Sequence, residues 1–181
     1  GQLQFTQLQA NPDNFFDEAL DFRQSAIDFR LKLDPFSVEI GQFMLQSDDT
    51  RITGDAHVTA DPDGWSVALN AFGDQISPQA VTAIWPSTQV ARTREWVARN
   101  VTEGRLHNAQ AVLRATAGER PYFRVGWEFE DATVRFMKTL PPITNGVGRA
   151  LLEGNRFVVS VDEGQVLSPR GGAIELAGSR F

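Results

Sequence analysis

The chain has 181 residues, 41% hydrophobic and 22% charged, which is typical of a globular rather than a disordered protein. Its net charge of −6 argues against a nucleic-acid partner, which would require a basic surface. The absence of cysteine excludes disulfides, thiolate nucleophiles and sulfur-ligated metals. No run of about twenty apolar residues is present, so the sequence predicts no membrane-spanning helix.

The first part of the chain predicts one short helix followed by strands. The helix is expected within residues 11–22, beginning near Asp13, because Asn11 or Asp13 is a suitable N-cap. After it, apolar and polar residues alternate, which is the pattern of half-buried strands. Within each strand the apolar residues would share one face, namely Ile27, Phe29, Leu31 and Leu33 in the first, Phe36, Val38 and Ile40 in the second, Ile52, Ala56 and Val58 in the third, and Trp65, Val67, Leu69 and Ala71 in the fourth.

A helical insert is predicted at about residues 77–103. Ser77 is placed to cap a first helix with Pro78 in its first turn, and Pro86 would end it. A second helix is expected from about Thr88 to Asn100, with Gly104 as its stop. This second helix would carry a modest basic group formed by Arg92, Arg94 and Arg99.

Alternation resumes in the second half of the chain. It predicts a strand or pair of strands over 105–115, a strand over 122–131, a hairpin over 143–164 and a final strand near the end. One side of the strand over 122–131 would carry Phe123, Val125, Trp127 and Phe129, and in the hairpin Phe157, Val159 and Val161 would alternate with Val158, Ser160 and Asp162.

Two stretches, RITGDAHVTADPDGWSVALNAFGDQIS and ITNGVGRALLEGNRFVVSVDEGQVLS, share a layout that suggests one structural unit used twice. Gly54 matches Gly148 and Trp65 matches Phe157, at a separation of roughly ninety residues. Because the chain begins with Gly1 and ends within an apparent strand, AGSRF, we expect it to be a single fragment, residues 1–181, of a longer protein.

No residue pattern predicts catalysis or metal binding. His57 and His107 lack metal-ligand spacing and are expected to be exposed strand residues. The acidic group Glu128, Glu130 and Asp131 fits a solvated strand face and turn better than the carboxylate pair of a glycosidase. NGVG at 145–148 lacks the lysine and helix of a phosphate loop. We therefore expect no catalytic residue, no metal site, no cofactor and no enzymatic activity.

The predicted fold is mainly β with a short helical insert. The thirteen Phe and four Trp against a single Tyr indicate apolar faces with few polar tips. Alternation alone leaves two architectures open, because it shows that one face is apolar but not what covers it. The first is a curved, largely antiparallel sheet forming an open groove. The second is a β-sandwich with a sealed core.

An ordered set of motifs resembles the central region of the AsmA-like proteins, in particular the YhdP-type members. The motifs are Trp85-Pro86, a helix with Arg94 and Trp96, Asn100-Val101 before Gly104, the aromatic-acidic turn at 129–131, and Pro141-Pro142-Ile143 before Gly146 to Gly148. The resemblance covers about residues 25–181. It implies a repeating β-groove fold with a hydrophobic concave face, in a periplasmic protein anchored in the inner membrane.

This resemblance implies a role in phospholipid transport between the inner and outer membranes. The expected partners are phospholipid acyl chains and neighbouring repeats of the same chain, with a possible homodimer of the isolated fragment. The residues expected to contact lipid are Phe29, Leu31, Val67, Leu69, Val125, Trp127, Phe129, Val159 and Val161. The competing hypotheses are a closed β-sandwich that binds protein or glycan, and a hydrolase of unknown type.

Overall fold

The computed structural model describes residues 1–11, 19–48, 50–85, 91–135, 137–168 and 171–180. Most of these residues form β-strands, and two short helices lie in the middle of the chain. The elements are β1 (Gln2–Phe5), β2 (Leu8–Ala10), β3 (Leu20–Phe22), β4 (Gln24–Leu33), β5 (Phe36–Gln46), β6 (Arg51–Asp61), β7 (Gly64–Asp74), α1 (Pro78–Ile84), α2 (Ala91–Asn100), β8 (Val101–Ala115), β9 (Tyr122–Val134), β10 (Ile143–Glu153), β11 (Arg156–Leu167), β12 (Ala173–Glu175) and β13 (Ser179–Arg180).

The strands form one large antiparallel sheet of eleven strands in the order β1-β4-β5-β6-β7-β8-β9-β10-β11-β12, with β13 also paired to β11. From β4 to β11 each strand pairs with the next strand in the chain, which is the simplest arrangement for successive hairpins. The sheet does not close on itself, and β2 and β3 form a separate hairpin. The predicted open, largely antiparallel sheet is therefore confirmed, and the described residues do not form the two packed sheets of the alternative β-sandwich.

Tight turns join β4 to β5, β6 to β7 and β10 to β11, and together with the β8–β9 connection they form one long rim of the sheet, here called the turn rim. The sequence explains these turns locally. The carboxylate of Asp61 accepts hydrogen bonds from the amides of Asp63 at 2.9 Å and Gly64 at 3.1 Å. Gly64 and Gly154 both have positive φ angles, 130° and 55°, which glycine adopts without steric cost.

The first predicted helix forms as expected. The Ser77 hydroxyl accepts a hydrogen bond from the Ala80 amide at 3.1 Å, and Pro78 occupies the first turn. The second helix, α2, ends at Asn100 as predicted, but the insert does not continue to residue 103, because Val101 already pairs with Val134 as the first residue of β8. Gly104 consequently lies within a strand and does not stop a helix. The helices pack on each other and on β8.

The short helix predicted within 11–22 falls mostly on residues 12–18, which lie outside the described residues. The part that is described contradicts a helix, because residues 20–22 form β3 and pair with β2. The N-cap and propensity signals in this stretch were weak, and pairing with the preceding strand outweighed them.

Extra residues interrupt the regular pairing at several points of β8, β9 and β10. Asn108, Asp131 and Asn145 lie at three of these β-bulges and have φ angles of 50–52°. Asn and Asp tolerate this left-handed conformation better than other non-glycine residues. A bulge bends its strand and increases the local twist, so these residues give the sheet curvature across its width.

A phenylalanine ring lies over a glycine of the next strand at two places. Phe43 pairs with Gly54, and Phe129 pairs with Gly148. A Cβ atom at either glycine would lie 2.7–2.8 Å from the phenylalanine Cζ atom and 2.1 Å from a backbone oxygen of the following strand. The internal similarity in the sequence thus corresponds to a repeated local arrangement, in which only glycine fits.

We expect Gly148→Ala to lower the free energy of unfolding by about 1–3 kcal/mol, because the new methyl group would overlap both the Phe129 ring and the Ser160 backbone oxygen. Gly41→Ala is the matched control, since a Cβ there meets nothing within 4 Å. Urea unfolding followed by circular dichroism measures both. Equal midpoints for the two variants would contradict the proposed close approach.

Candidate functional site

The register of the sheet places apolar residues on one continuous face. Directly paired residues of neighbouring strands present their side chains on the same side. One row of such partners runs from β1 to β11 without a polar residue: Leu3, Ile27, Phe43, Gly54, Ala71, Ala111, Val125, Leu152 and Phe157. With about 4.8 Å between strands, the eight steps of this row span about 38 Å. We call this side of the sheet the apolar face.

All nine residues predicted to contact lipid lie on the apolar face. Val125 belongs to the row just described. The predicted residues of β4 and β7 lie in two parallel rows nearer the turn rim. One row contains Phe29 and Leu69, and the other contains Leu31 and Val67. Two rows on the other side of it contain the remaining residues, namely Trp127 with Val159 and Phe129 with Val161.

The apolar face is only partly shielded from solvent. Leu31 is 49% exposed and Trp65 is 61% exposed, whereas Val161 is 6% exposed. None of the large side chains described is fully buried. The chain exposes 12172 Å², whereas a compact protein of 20.0 kDa would expose about 8,700 Å². An accessible surface larger than that of a compact protein is expected for an extended sheet without a second layer.

Shielding of the apolar face increases toward the C-terminal strands. Its buried apolar members, Ile76, Ala132, Ala150, Leu152 and Val161, lie on or beside β8 to β11. In the same region the rings of Trp127 and Phe157 stack with centroids 5.9 Å apart. The N-terminal strands have a corresponding edge-on pair, Phe36 and Trp65, at 5.5 Å, in which Trp65 is 61% exposed, compared with 43% for Phe157. The face is therefore most open between β4 and β7.

The opposite side of the sheet, here called the polar face, carries most of the charged residues. Arg30 lies 3.6 Å from Glu39 across β4 and β5. The Asn70 amide donates to Asp55 at 2.8 Å and its side-chain oxygen accepts from Arg114 at 2.7 Å. These side chains are exposed, so each ion pair contributes at most about 1 kcal/mol to stability. Their main effect is to keep this face in water and the apolar face opposite.

The structure corrects the interpretation of His107 as an exposed strand residue. Its side chain is 26% exposed and lies between two carboxylates, with Nδ1 3.3 Å from Asp74 and Nε2 2.9 Å from Glu130. Arg105 lies 3.2 Å from Glu130 and 2.6 Å from Asp131. Sequence spacing missed this group because strand register, not proximity in the chain, brings it together. Within the described residues no group of three His, Asp or Glu side chains is arranged to hold a metal ion.

No family model, curated protein sequence or solved structure matches this chain. Neither of the helices described is long and apolar enough to cross a membrane.

An exposed apolar face predicts that the native protein binds a neutral hydrophobic dye. We expect Nile red to increase its emission with the folded protein, and Val67→Asp to reduce this signal severalfold, because Val67 lies in the open part of the face. Ala68→Asp places the same charge on the polar face of the same strand and is the control. An increase in emission seen only in partly denatured protein would indicate a sealed face instead.

Proposed function

We propose that the chain is a segment of a periplasmic, inner-membrane-anchored AsmA-like protein in which the apolar face contacts phospholipid acyl chains during transport between the inner and outer membranes. The observation that supports this most is the unbroken row of apolar residues from β1 to β11, on a sheet that remains open. The ordered motifs that resemble AsmA-like proteins support it independently.

A lipid that moves through water exposes its acyl chains to the solvent. Each exposed CH₂ group costs about 0.8 kcal/mol, so a sixteen-carbon chain costs about 13 kcal/mol when fully hydrated. An apolar surface that follows the route removes most of this cost while the headgroup stays in water. The proposal requires no nucleotide, metal or catalytic side chain for contact with the acyl chain.

The dimensions of the apolar face fit this role. One leaflet accounts for about 15 Å of a bilayer hydrocarbon core that is about 30 Å thick. The row of about 38 Å is longer than an extended acyl chain of that size. A chain lying along the row would remain in contact with apolar side chains as it moves from one strand to the next.

The two ends of the sheet offer a way to lengthen the route. Among the described residues, β1 at one end and β12 and β13 at the other pair on one side only, so their second edges could accept further strands. We propose that neighbouring repeats of the same protein continue the sheet there. In the isolated segment the same edges, or the apolar face itself, would favour a homodimer.

Native mass spectrometry with lipid identification tests the proposal. We expect wild-type protein incubated with phosphatidylethanolamine vesicles to retain phospholipid, and Leu31→Asp to retain several times less. Leu31 is already 49% exposed, so a charge there should leave the fold intact. Lys32→Asp, on the polar face of the same strand, is the control. A second pair, Leu69→Asp against Ala68→Asp, repeats the comparison on β7.

Three outcomes would count against the proposal. Wild-type protein that takes up no lipid would favour a binding module without lipid transfer, the alternative function. Equal lipid retention in both members of each pair would place the lipid elsewhere. A homodimer that takes up no lipid even with vesicles present, and that Leu31→Asp dissociates, would indicate that a second copy rather than lipid covers the apolar face.

A further inference from the structure

A shallow depression of about 530 Å³ lies on the polar face over β8 to β11 and β13. Gly126 lies in the middle of its floor and contributes no side chain. The cross-strand partners of Gly126 are Leu151 on β10 and Gln110 on β8, and Val158 lies opposite Leu151; Val112 also lines the depression. A group of three apolar side chains is unusual on this face, where neighbouring positions are mostly charged or polar.

Arginines stand on both sides of this floor. On the side of the turn rim, register places Arg124 opposite Glu153, which is itself opposite Arg156. On the other side, Arg149 pairs with Ser160, and Ser160 pairs with Arg180. Four arginines thus surround the depression with two glutamates, in a chain whose net charge is −6.

Both glutamates already accept a hydrogen bond, whereas three of the four arginines have no hydrogen-bond or ion-pair partner among the described residues. Glu153 accepts a hydrogen bond from the Tyr122 hydroxyl at 2.8 Å, and this bond raises the pKa of Tyr122. Glu128 accepts a hydrogen bond from the Asn108 amide at 2.7 Å. Arg149 lies 3.7 Å from Asp162. Within the described part of the chain, the guanidinium groups of the other three arginines, Arg124, Arg156 and Arg180, have no hydrogen bond or ion pair.

We propose that this depression binds a small organic anion, with a phosphate or carboxylate group held by the arginines and a compact apolar body lying on Gly126. Guanidinium groups form bidentate hydrogen bonds with both kinds of anion, which makes arginine well suited to this task. The volume is within the range of small-molecule sites, about 300–1,000 Å³. Because charged rows enclose the floor on both sides, a compact ligand reaches Gly126, whereas a flat membrane surface does not.

Isothermal titration with four probes tests this site in the wild-type protein. Phenyl phosphate and benzoate each combine an anionic group with a compact ring, whereas inorganic phosphate and phenol carry only one of the two features. We expect at least one of the two combined probes to bind about tenfold more tightly than inorganic phosphate or phenol. The stronger of the two identifies the preferred anionic group. The Gly126 amide resonance should shift on binding in a ¹⁵N-labelled sample.

Substitutions test whether the probes bind in the depression around Gly126. We expect the double variant Arg124→Gln with Arg156→Gln to bind the stronger probe with about tenfold lower affinity, because two charge-assisted contacts are lost. Arg30→Gln makes the same kind of change on the polar face of β4, far from the depression, and should have no effect. Gly126→Val should reduce binding at least tenfold by filling the floor. Its Cβ would contact Leu151 at an ordinary 3.5 Å, and valine favours strands.

Clear results would overturn the proposal. One such result is that neither phenyl phosphate nor benzoate binds. Another is that phenol or inorganic phosphate binds as tightly as the stronger of these two probes. Unchanged affinity in the double arginine variant would also overturn it. That variant alters only exposed side chains, so the result does not depend on whether Gly126→Val folds. The site lies on the face opposite the apolar row, so the test is independent of lipid contact.

Discussion

The rest of the structure depends on one constraint: every strand of the sheet keeps its apolar side chains on one side and its polar side chains on the other. We call this side-chain parity. A strand that slipped by one residue would turn its apolar side chains to water and its charges inward. The β-bulges show how side-chain parity is kept where the regular pairing between strands is interrupted. Leu106 and Ala109 are three residues apart, yet both lie on the apolar face, because Asn108 is accommodated as an extra residue in a left-handed conformation. Curvature is thus introduced without exchanging the two faces.

A single-layer sheet of this kind lacks the usual source of stability, a core closed between two layers. Hydrogen bonds along the strands and lateral contacts within the apolar face must supply more of it. The Phe–Gly contacts and the Trp127–Phe157 stack are such lateral contacts, since they join residues of neighbouring or next-neighbouring strands. The surface ion pairs contribute little in comparison. Apolar surface left exposed in this way is typical of a binding face rather than of a monomer's resting surface.

Local alternation was sufficient to predict which residues share a face, because parity depends only on the residue's position in its own strand. Turn chemistry at Asp61–Gly64 and the cap at Ser77 were predictable for the same reason, since both depend on adjacent residues. Features that depend on register were not. The contacts of His107 with Asp74 and Glu130 and the position of Gly104 within β8 follow from pairing between strands that sequence alone does not align.

The two faces differ in the kind of interaction they can form, and this difference bears on how each would hold a ligand. The apolar row has no hydrogen-bonding side chain, so contact with an acyl chain would be non-directional and similar at every strand. Such a surface favours movement along the row over retention at one point. The arginines around Gly126 instead offer directional donors at one place, which favours retention. Because Arg124 and Val125 are adjacent yet point to opposite faces, substitutions in β9 can separate these two properties one residue at a time.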